Sequence, residues 1–313
     1  VLKGELRHRA RALWQGTVAF GNLPSADGTA QAFLRAACQD DIIRSRRLAF
    51  RILELLEDPK VVRRIDKTLR SGPAHSHGDV LEVLSHMGDR EAARLLVLIH
   101  ETSPLEDRLA EISEFLELPG STDEIVRLGQ RAESRWIQMA SRAIAAPDES
   151  HRDEEEFMKR LLALKQIPLF SNLSLEQLEA IRKITREVEY LPNETIVSEG
   201  DPGGEIFLLI EGEVRFVKGY GTPSERRLST QPAVSYFGEM AALDDMGRTV
   251  TVIATQPSVM LCLDGSSLKD LIRQMPEISF HIMRVLTARV RKAEEAMRQT
   301  TVGGDAPRKP GAG

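Results

Sequence analysis

The stretch TIVSEGDPGGEIFLLIEGEVRFV, residues 195–217, decides the fold predicted for the second half of the chain. Apolar runs at 206–210 and 214–217 have the length and the β-branched and aromatic content of short strands. Gly200–Gly204 supplies a turn before the first run, and Glu211-Gly212 supplies a tight turn between the two. The stretch therefore predicts an antiparallel hairpin.

The sequence on both sides continues this pattern. Strand-like runs are expected at 188–190, 195–197, 226–229, 249–253 and 259–263, and helices at 157–164, 175–184, 266–274 and 276–299. Ser171 or Ser174 is a suitable N-cap for the helix at 175–184. Many short strands joined by glycine turns predict a small antiparallel barrel or jelly roll with flanking helices.

A loop between two of these strands carries polar groups that can bind a ligand. It reads Phe237-Gly238-Glu239-Met240-Ala241-Ala242-Leu243 and is followed by Arg248-Thr249. A helix start offers backbone N–H groups to an anion, and an arginine adds a charged, planar fork for phosphate oxygens. Glu239 would repel phosphate, so it is assigned another role, such as accepting hydrogen bonds from sugar hydroxyls. The loop predicts a nucleotide site without hydrolysis.

Composition narrows the function classes. The chain has 313 residues, enough for about two domains, with 42% hydrophobic and 28% charged residues, as in soluble globular proteins. A net charge of -5 argues against a general nucleic-acid binder. No apolar run approaches the roughly 18 residues that span a bilayer, and no signal-peptide pattern is present. Cys38 and Cys262 are expected to be buried thiols in a reducing, cytoplasmic environment.

The first half is predicted to be all-helical, because apolar residues recur three and four positions apart between proline- and glycine-rich breaks. A weak repeat is visible, since the pattern at 52–56 (ILELL) returns at 80–84 (VLEVL). Each copy is followed by a short acidic break and a second amphipathic segment. Such helix pairs stack as a solenoid and resemble HEAT-type repeats. An ordinary irregular helical bundle is the alternative.

These patterns predict an α+β multidomain chain. A HEAT-like all-α repeat region is assigned to residues 1–150, an antiparallel β jelly-roll barrel with flanking helices to 151–299, and a disordered, Gly/Pro-rich tail to 300–313. The boundary follows Ala146-Pro147-Asp148-Glu149-Ser150, where a charged run then begins a new helix.

Residues 160–298 resemble the cyclic-nucleotide-binding domain family. The run Ile196–Gly212 is similar to the family's first signature, and Phe237–Ala241 with Arg248 is similar to its phosphate-binding cassette. The resemblance implies that the ligand-binding residues are Phe237, Gly238, Glu239, Met240, Ala241, Arg248, Thr249 and Val250. It further implies that Arg248 pairs with the cyclic phosphate, that Glu239 accepts from the ribose 2′-hydroxyl, and that the Met240 and Ala241 N–H groups face phosphate.

Two departures from the family pattern affect the ligand. Gly247 stands where the family often has proline, which we expect to loosen the loop, and Val250 is bulkier than usual. Thr249 resembles the residue of cGMP-dependent kinases whose hydroxyl meets the guanine amino group, although threonine is also an ordinary strand residue. Because bacterial cAMP-binding relatives carry hydroxyls there too, cAMP is favoured over cGMP.

A second resemblance concerns the whole arrangement. Helical repeats before a cyclic-nucleotide domain resemble the soluble part of bacterial multidomain proteins that begin with a transporter-like membrane domain. A chain that starts at Val1 fits a processed protein or an excised fragment. A membrane domain of the same protein, or a separate protein, is then the expected partner of the repeats.

Other residue clusters point to no chemistry. His75-Ser76-His77 lies near Asp79 and His86, but a flexible polar loop explains it better than a metal site. No nucleophile elbow, kinase motif or catalytic triad is present, so neither an enzyme, a metal nor a cofactor is predicted.

The predicted function is a cyclic-nucleotide-sensing regulatory module that relays binding through its helices to the repeat region. The last helix either covers the ligand or pairs with a second subunit as a homodimer. The rival prediction is a degenerate barrel without ligand that serves, with the repeats, as a protein-interaction scaffold.

Overall fold

The computed structural model describes residues 1–23, 28–71, 77–101, 103, 105–112, 116, 121–146, 152–244 and 246–302. The chain divides into two compact units, Val1–Lys159 and Arg160–Gly313. The sequence-based boundary at residue 150 lies slightly earlier. None of the described helices is both long and apolar enough to cross a membrane.

The first unit is helical, as predicted. Its helices are α1 Leu2–Asn22, α2 Thr29–Leu56, α3 Pro59–Ser71, α4 His77–Ser85, α5 Arg90–His100, α6 Leu105–Ile112, α7 Thr122–Gly129 and α8 Arg135–Ala145. The unit ends within α9 Arg152–Gln166. Asp89 and Ser121 cap α5 and α7 by accepting backbone N–H bonds, which satisfies donors that a helix start leaves free.

Buried apolar residues from each of the helices α1 to α5 pack into one core. Trp14 is completely buried and its indole Nε1 donates to the carbonyl oxygen of Leu95 at 2.7 Å. Leu6 and Leu13 on α1 and Leu53 on α2 belong to the same buried cluster. The hydrogen bond lets a large aromatic side chain be buried without leaving its N–H unpaired.

The two copies of the weak repeat occupy unequal positions. The first, 52–56, ends the 28-residue α2, and the second, 80–84, lies in the 9-residue α4. Each is followed by a further helix, α3 or α5, as expected. The helical region is thus established, whereas its HEAT-like character stays a prediction.

The second unit holds eight strands in the described residues: β1 Thr185–Tyr190, β2 Thr195–Val197, β3 Glu205–Glu211, β4 Glu213–Lys218, β5 Arg226–Pro232, β6 Ser235–Phe237, β7 Thr251–Ala254 and β8 Ser258–Asp264. Its helices after α9 are α10 Leu175–Lys183, α11 Glu239–Asp244, α12 Gly265–Gln274 and α13 Glu277–Val302. Ser174 is the N-cap of α10, within a reciprocal capping box with Gln177.

The strands form two antiparallel sheets, ordered β1-β8-β3-β6 and β2-β7-β4-β5. The core lies where side chains of both sheets meet, among them Phe207, Met260 and Cys262 from the first sheet and Val214 and Val252 from the second. Two sheets packed over one apolar core agree with the predicted antiparallel jelly roll.

Among the differences from the sequence-based elements, three concern the region around the candidate site and the end of the chain. β6 was not predicted, because it is only three residues long and follows Val234, whose φ of 58° breaks the strand pattern. Thr249 and Val250 lie in a bend before β7, outside the strand predicted from residue 249. Helix α13 continues to Val302, so 300–302 are helical and not part of a tail. The rest of that predicted tail lies outside the described residues.

Candidate ligand-binding site

A cleft lies where the loop from Gly238 to Val250 meets the second sheet. It is small, with a cavity volume of about 60 Å³. Its walls are Val197, Gly238, Met240, Ala241, Asp244, Met246, Gly247, Arg248, Thr249, Val250 and Val252. Six of the residues assigned to the ligand in the sequence therefore lie together here, Phe237 and Glu239 being the two that do not line the cleft.

Arg248 is the buried cation of this cleft, with 7% of its surface exposed. Its Nη1 donates to the carbonyl oxygen of Gly238 at 3.2 Å, and its guanidinium lies 5.4 Å from the centre of the Phe207 ring. Among the described residues no carboxylate forms an ion pair with it. Burial lowers the pKa of Arg248, while Glu205 and Asp201 act in the opposite direction. The guanidinium stays charged and has donors left for an anion.

The backbone of Arg248 is fixed by the loop that follows β2. Gly200 N–H donates to the Arg248 carbonyl oxygen and Arg248 N–H donates to the Asp201 carbonyl oxygen, both at 2.8 Å. Pro202 and Gly247 form an antiparallel bridge beside these bonds. The loop that Gly247 was expected to loosen is therefore tied to the loop after β2 by the bridge at Gly247 and by both backbone hydrogen bonds of the next residue, Arg248.

Gly238 is required by close packing. Its φ is 83°, a conformation that favours glycine, and a Cβ there would lie 2.8 Å from the Glu205 carbonyl oxygen and would collide with the Arg248 guanidinium. The guanidinium occupies the space that a side chain would fill. Glycine at this position and arginine ten residues later thus form one structural unit.

Phe237 belongs to the barrel core. It stacks on Phe207 with ring centroids 5.1 Å apart and meets Phe216 edge-on at 5.7 Å. Its side chain is 5% exposed. Phe237 does not line the cleft, since its ring stacks on Phe207 of β3, and the ligand contact assigned to it stays a prediction.

Glu239 begins α11 and is buried, 4% exposed. A carboxylate at a helix N-terminus interacts favourably with the helix dipole. The ribose role assigned to it stays a prediction.

The rim of the cleft has residues with different environments. Thr249 is exposed, whereas Val250 is half-buried and packs against the barrel core. Met240 and Met246 expose 60% and 65% of their surface at the mouth. Polarisable thioethers on this wall suit a flat, apolar ligand surface.

Sequence reasoning did not assign five wall residues to the ligand: Val197, Asp244, Met246, Gly247 and Val252. Val197 and Val252 are paired across β2 and β7, a register that the alternation of apolar residues could have indicated. Asp244 and Met246 lie in the irregular end of the loop, where no periodicity exists to place them.

The described residues contain no group of three or more His, Cys, Asp or Glu that could hold a metal ion. His77 is the first residue of α4, and His75 and Ser76 lie outside the described residues. The free thiols Cys38 and Cys262 are buried, and burial raises the pKa of Cys262 to about 11.

Comparison with known proteins gives this geometry a family context. The family model described as cyclic nucleotide-binding domain matches residues 187–275. The cGMP-dependent protein kinase of Eimeria tenella is 35% identical over 106 residues, 34% of this chain and 10% of that protein. The cyclic AMP receptor protein of Thermus thermophilus is 28% identical over 131 residues, 42% of this chain and 61% of that protein.

Among solved structures, the N-terminal domain of a transcriptional regulator from Streptomyces coelicolor A3(2) matches with a TM-score of 0.40 and 29% identity, covering 43% of this chain and 94% of that one. The chain spans only 10% of the Eimeria relative and 61% of the Thermus relative. Residues 187–275 form a cyclic nucleotide-binding domain of the kind found in the kinase and receptor-protein regulators, and the cleft lies within it.

Proposed function

We propose that this chain is a regulatory module that binds a cyclic nucleotide in the cleft around Arg248 and does not turn it over. The observation that carries the proposal is the buried Arg248 guanidinium, which faces a cleft and has no carboxylate partner among the described residues. A buried cation is costly unless an anion pairs with it, so a cyclic phosphate is the fitting partner.

The proposed contacts follow from the walls of the cleft. Arg248 pairs with the phosphate, the first N–H groups of α11 at Met240 and Ala241 face the same oxygens, and Glu239 accepts from the ribose. A charge-assisted bond contributes about 1.5–3 kcal/mol and micromolar binding needs about 8 kcal/mol, so the apolar walls must contribute much of the rest.

The proposed base is adenine. Similarity to the cyclic AMP receptor protein of Thermus thermophilus supports this choice. Thr249 is the residue on which this preference depends, because its exposed side chain at the rim can reach the edge of a base.

The proposed relay starts at α11 and passes to α12. A Cβ on Gly265, the first residue of α12, would lie 2.8 Å from the carbonyl oxygen of Ala242 on α11, so a shift of α11 displaces α12. Helix α12 in turn contacts α10 and α13. Differential affinity of the ligand for two arrangements of these helices is sufficient for regulation.

The proposed output is the helical region 1–150, with a membrane domain of the same protein or a separate protein as its partner and the cytoplasm as its location. Exposed apolar residues on α13 support a homodimer through that helix. Two buried free thiols support a reducing compartment.

Calorimetric titration of the full chain with cAMP and with cGMP tests the proposal. We expect binding, tighter for cAMP, and a 10- to 150-fold loss of affinity, as an order of magnitude, in Arg248→Ala. The matched control is Arg273→Ala, which removes an exposed arginine from α12 of the same domain and should leave affinity unchanged. Tighter binding of cGMP would reverse the assignment of the base.

The scaffold is the alternative outcome. If neither nucleotide produces heat with the unmodified chain or with Arg248→Ala, the barrel is a non-binding module and the sensing function is wrong. Equal loss of affinity in both arginine variants would contradict the role of Arg248.

A further inference from the structure

Two charged residues outside the cleft, Lys218 and Glu199, are connected by a hydrogen bond to Thr249 at the rim of the cleft. Lys218, the last residue of β4, donates from Nζ to the carbonyl oxygen of Thr249 at 2.9 Å. The same Nζ lies 2.7 Å from a carboxylate oxygen of Glu199, in the loop after β2. Neither Lys218 nor Glu199 lines the cleft, and the hydrogen bond to Thr249 connects them to a residue that does.

We propose that Lys218, held in place by Glu199, is a positioning residue for the nucleotide site that fixes the Thr249 carbonyl and so sets the rim of the cleft. This inference rests on the function proposed above. It assigns a role to two charged residues that the sequence analysis left without one.

Thr249 needs such an anchor because little else holds it. Its side chain is exposed, and it lies in the bend before β7, outside the strand ladder. On its N-terminal side, Arg248 is tied to Gly200 and Asp201. On its C-terminal side, the pairing of β7 with β4 begins only at Thr251. Lys218 supplies the bond to the segment between these two fixed points.

Glu199 fixes the direction of the Lys218 side chain. Its carboxylate also accepts from the backbone N–H of Gly219 at 2.9 Å. Its own N–H donates to the hydroxyl of Thr251, a buried residue, at 3.0 Å. The hydrogen bond from Gly219 and the charge of Lys218 lower the pKa of Glu199, so the carboxylate is charged at neutral pH. Lys218, Glu199 and Thr249 thus form one connected clamp.

We expect the clamp to fix the position of the Thr249 carbonyl and to contribute little to the stability of the domain. Both ionic side chains are partly exposed, 46% for Lys218 and 31% for Glu199, and exposed ion pairs contribute little to stability. A binding site, by contrast, depends on contacts held to within about 0.5 Å. Loss of the clamp should therefore reduce ligand affinity more than it reduces stability.

The test compares Lys218→Met with the unmodified full chain by titration with cAMP and with cGMP. Methionine keeps an unbranched side chain but cannot donate to Thr249, and we expect about 3- to 10-fold weaker binding with an unchanged melting temperature. Lys218→Arg should restore much of the affinity, because a guanidinium can donate to both the Thr249 carbonyl and Glu199. Glu199→Gln should give a smaller loss, since the amide oxygen still accepts from Gly219.

The matched control is Lys183→Met, which breaks the exposed ion pair of Lys183 with Glu179 on α10 of the same domain. It should leave affinity unchanged. A spectroscopic measurement separates positioning from general destabilisation: in the nucleotide-free chain, Lys218→Met should shift the amide resonances of Thr249 and Val250 while those of β3 stay in place.

The outcomes distinguish this inference from the proposed function. If the unmodified chain binds neither nucleotide, the proposed function is wrong, and unchanged Thr249 resonances in Lys218→Met would separately overturn the clamp. If the unmodified chain binds and Lys218→Met binds equally well, the sensor stands and the positioning role is wrong. If Lys218→Met does not fold, the affinity of Glu199→Gln for the nucleotide is compared with that of the unmodified chain instead.

Discussion

Arg248 and Gly238 explain at the scale of single residues why the site takes its shape. The guanidinium is buried because the missing side chain at Gly238 leaves space for it, and it donates to the Gly238 carbonyl oxygen. Both residues were assigned to the site from sequence, but their mutual dependence is a property of the fold. Close approach between positions ten residues apart cannot be deduced from spacing in an irregular loop.

Replacing Gly238 with alanine should therefore impair both stability and binding. A non-glycine residue in the left-handed region costs about 1–2 kcal/mol, and the collision with Arg248 adds to this cost. We expect the free energy of unfolding of Gly238→Ala to fall by about 2 kcal/mol or more, with weaker cyclic-nucleotide binding, measured by denaturant unfolding and calorimetry.

Gly221→Ala is the control, because Gly221 also has a positive φ, 73°, but nothing lies within 4 Å of a Cβ there. It should show only the cost of the backbone conformation and should bind nucleotide normally. Equal losses in the two variants would mean that packing against Arg248 contributes nothing.

Phe237 shows where residue-level prediction was limited, whereas Val250 lines the cleft as predicted and also packs against the core. Both neighbour the polar groups of the cassette, yet Phe237 stacks in the core and Val250 packs partly against it. Sequence proximity to a site does not give the direction of a side chain at a strand end. That direction depends on which sheet the strand joins.

At the scale of elements, the regular segments were the predictable ones. β2 was predicted with the observed bounds, and β3, β4 and β8 were predicted to within about one residue at each end, because their apolar runs are bounded by glycine or polar turns. β6 was not predicted, because three residues after a positive-φ position give no periodic signal in the sequence.

At the C-terminal end of α5, two effects act on the pKa of His100 in opposite directions. His100 is the last residue of α5, where the helix dipole favours a protonated ring. Burial outweighs the dipole and, together with the charges of Arg46 and His77, lowers the pKa of His100 to about 4. Its ring lies edge-on to Phe50, with centroids 6.5 Å apart. The folded chain therefore holds this ring neutral well below the usual pKa of histidine.

This depressed pKa predicts acid sensitivity of the first unit. Between pH 6.5 and 4 the unfolded chain binds a proton at His100 that the folded chain does not, so the free energy of unfolding falls as the pH falls, by at most about 3 kcal/mol. Urea unfolding at several pH values, followed by tryptophan fluorescence, measures this slope. Trp14 and Trp136 both lie in the first unit, so the signal reports on it.

His100→Gln should flatten the slope between pH 6.5 and 4, because glutamine does not titrate. His8→Gln, which removes a histidine that is half-exposed and paired with Glu133, is the control and should keep the slope. A slope that persists unchanged in His100→Gln would show that other groups cause the acid sensitivity.

At the scale of the whole molecule, the division into a helical unit and a β-sheet unit was predictable and the internal arrangement of the helical unit was not. The change of apolar period from three and four to two marks the division in the sequence. The helical unit offers no comparable guide, since its two similar segments end one long helix and fill one short helix. Packing partners there are chosen by the shape of the core, as the contact of Trp14 with Leu95 illustrates.

The last helix leads to a prediction about assembly. On α13, Ile278 and Ile282 are buried, whereas Phe280, Met283 and Val290 expose 64%, 51% and 57% of their surface. The exposed three lie three and seven positions apart, the spacing of a coiled-coil seam. Such a stripe pairs favourably with the same stripe of a second copy, since a twofold interface matches one surface with itself.

We therefore expect the full chain to form a dimer through α13, with the monomer appearing on dilution in sedimentation velocity experiments. The double variant Phe280→Glu, Met283→Glu should stay monomeric at concentrations where the unmodified chain is dimeric, because two carboxylates on each helix would be buried against two others. Leu191→Glu, which changes a side chain of 67% exposure between β1 and β2, is the control and should leave the dimer intact. A chain that stays monomeric at high concentration, with and without cyclic nucleotide, would assign the stripe on α13 to another role, and dissociation by Leu191→Glu alone would place the interface elsewhere.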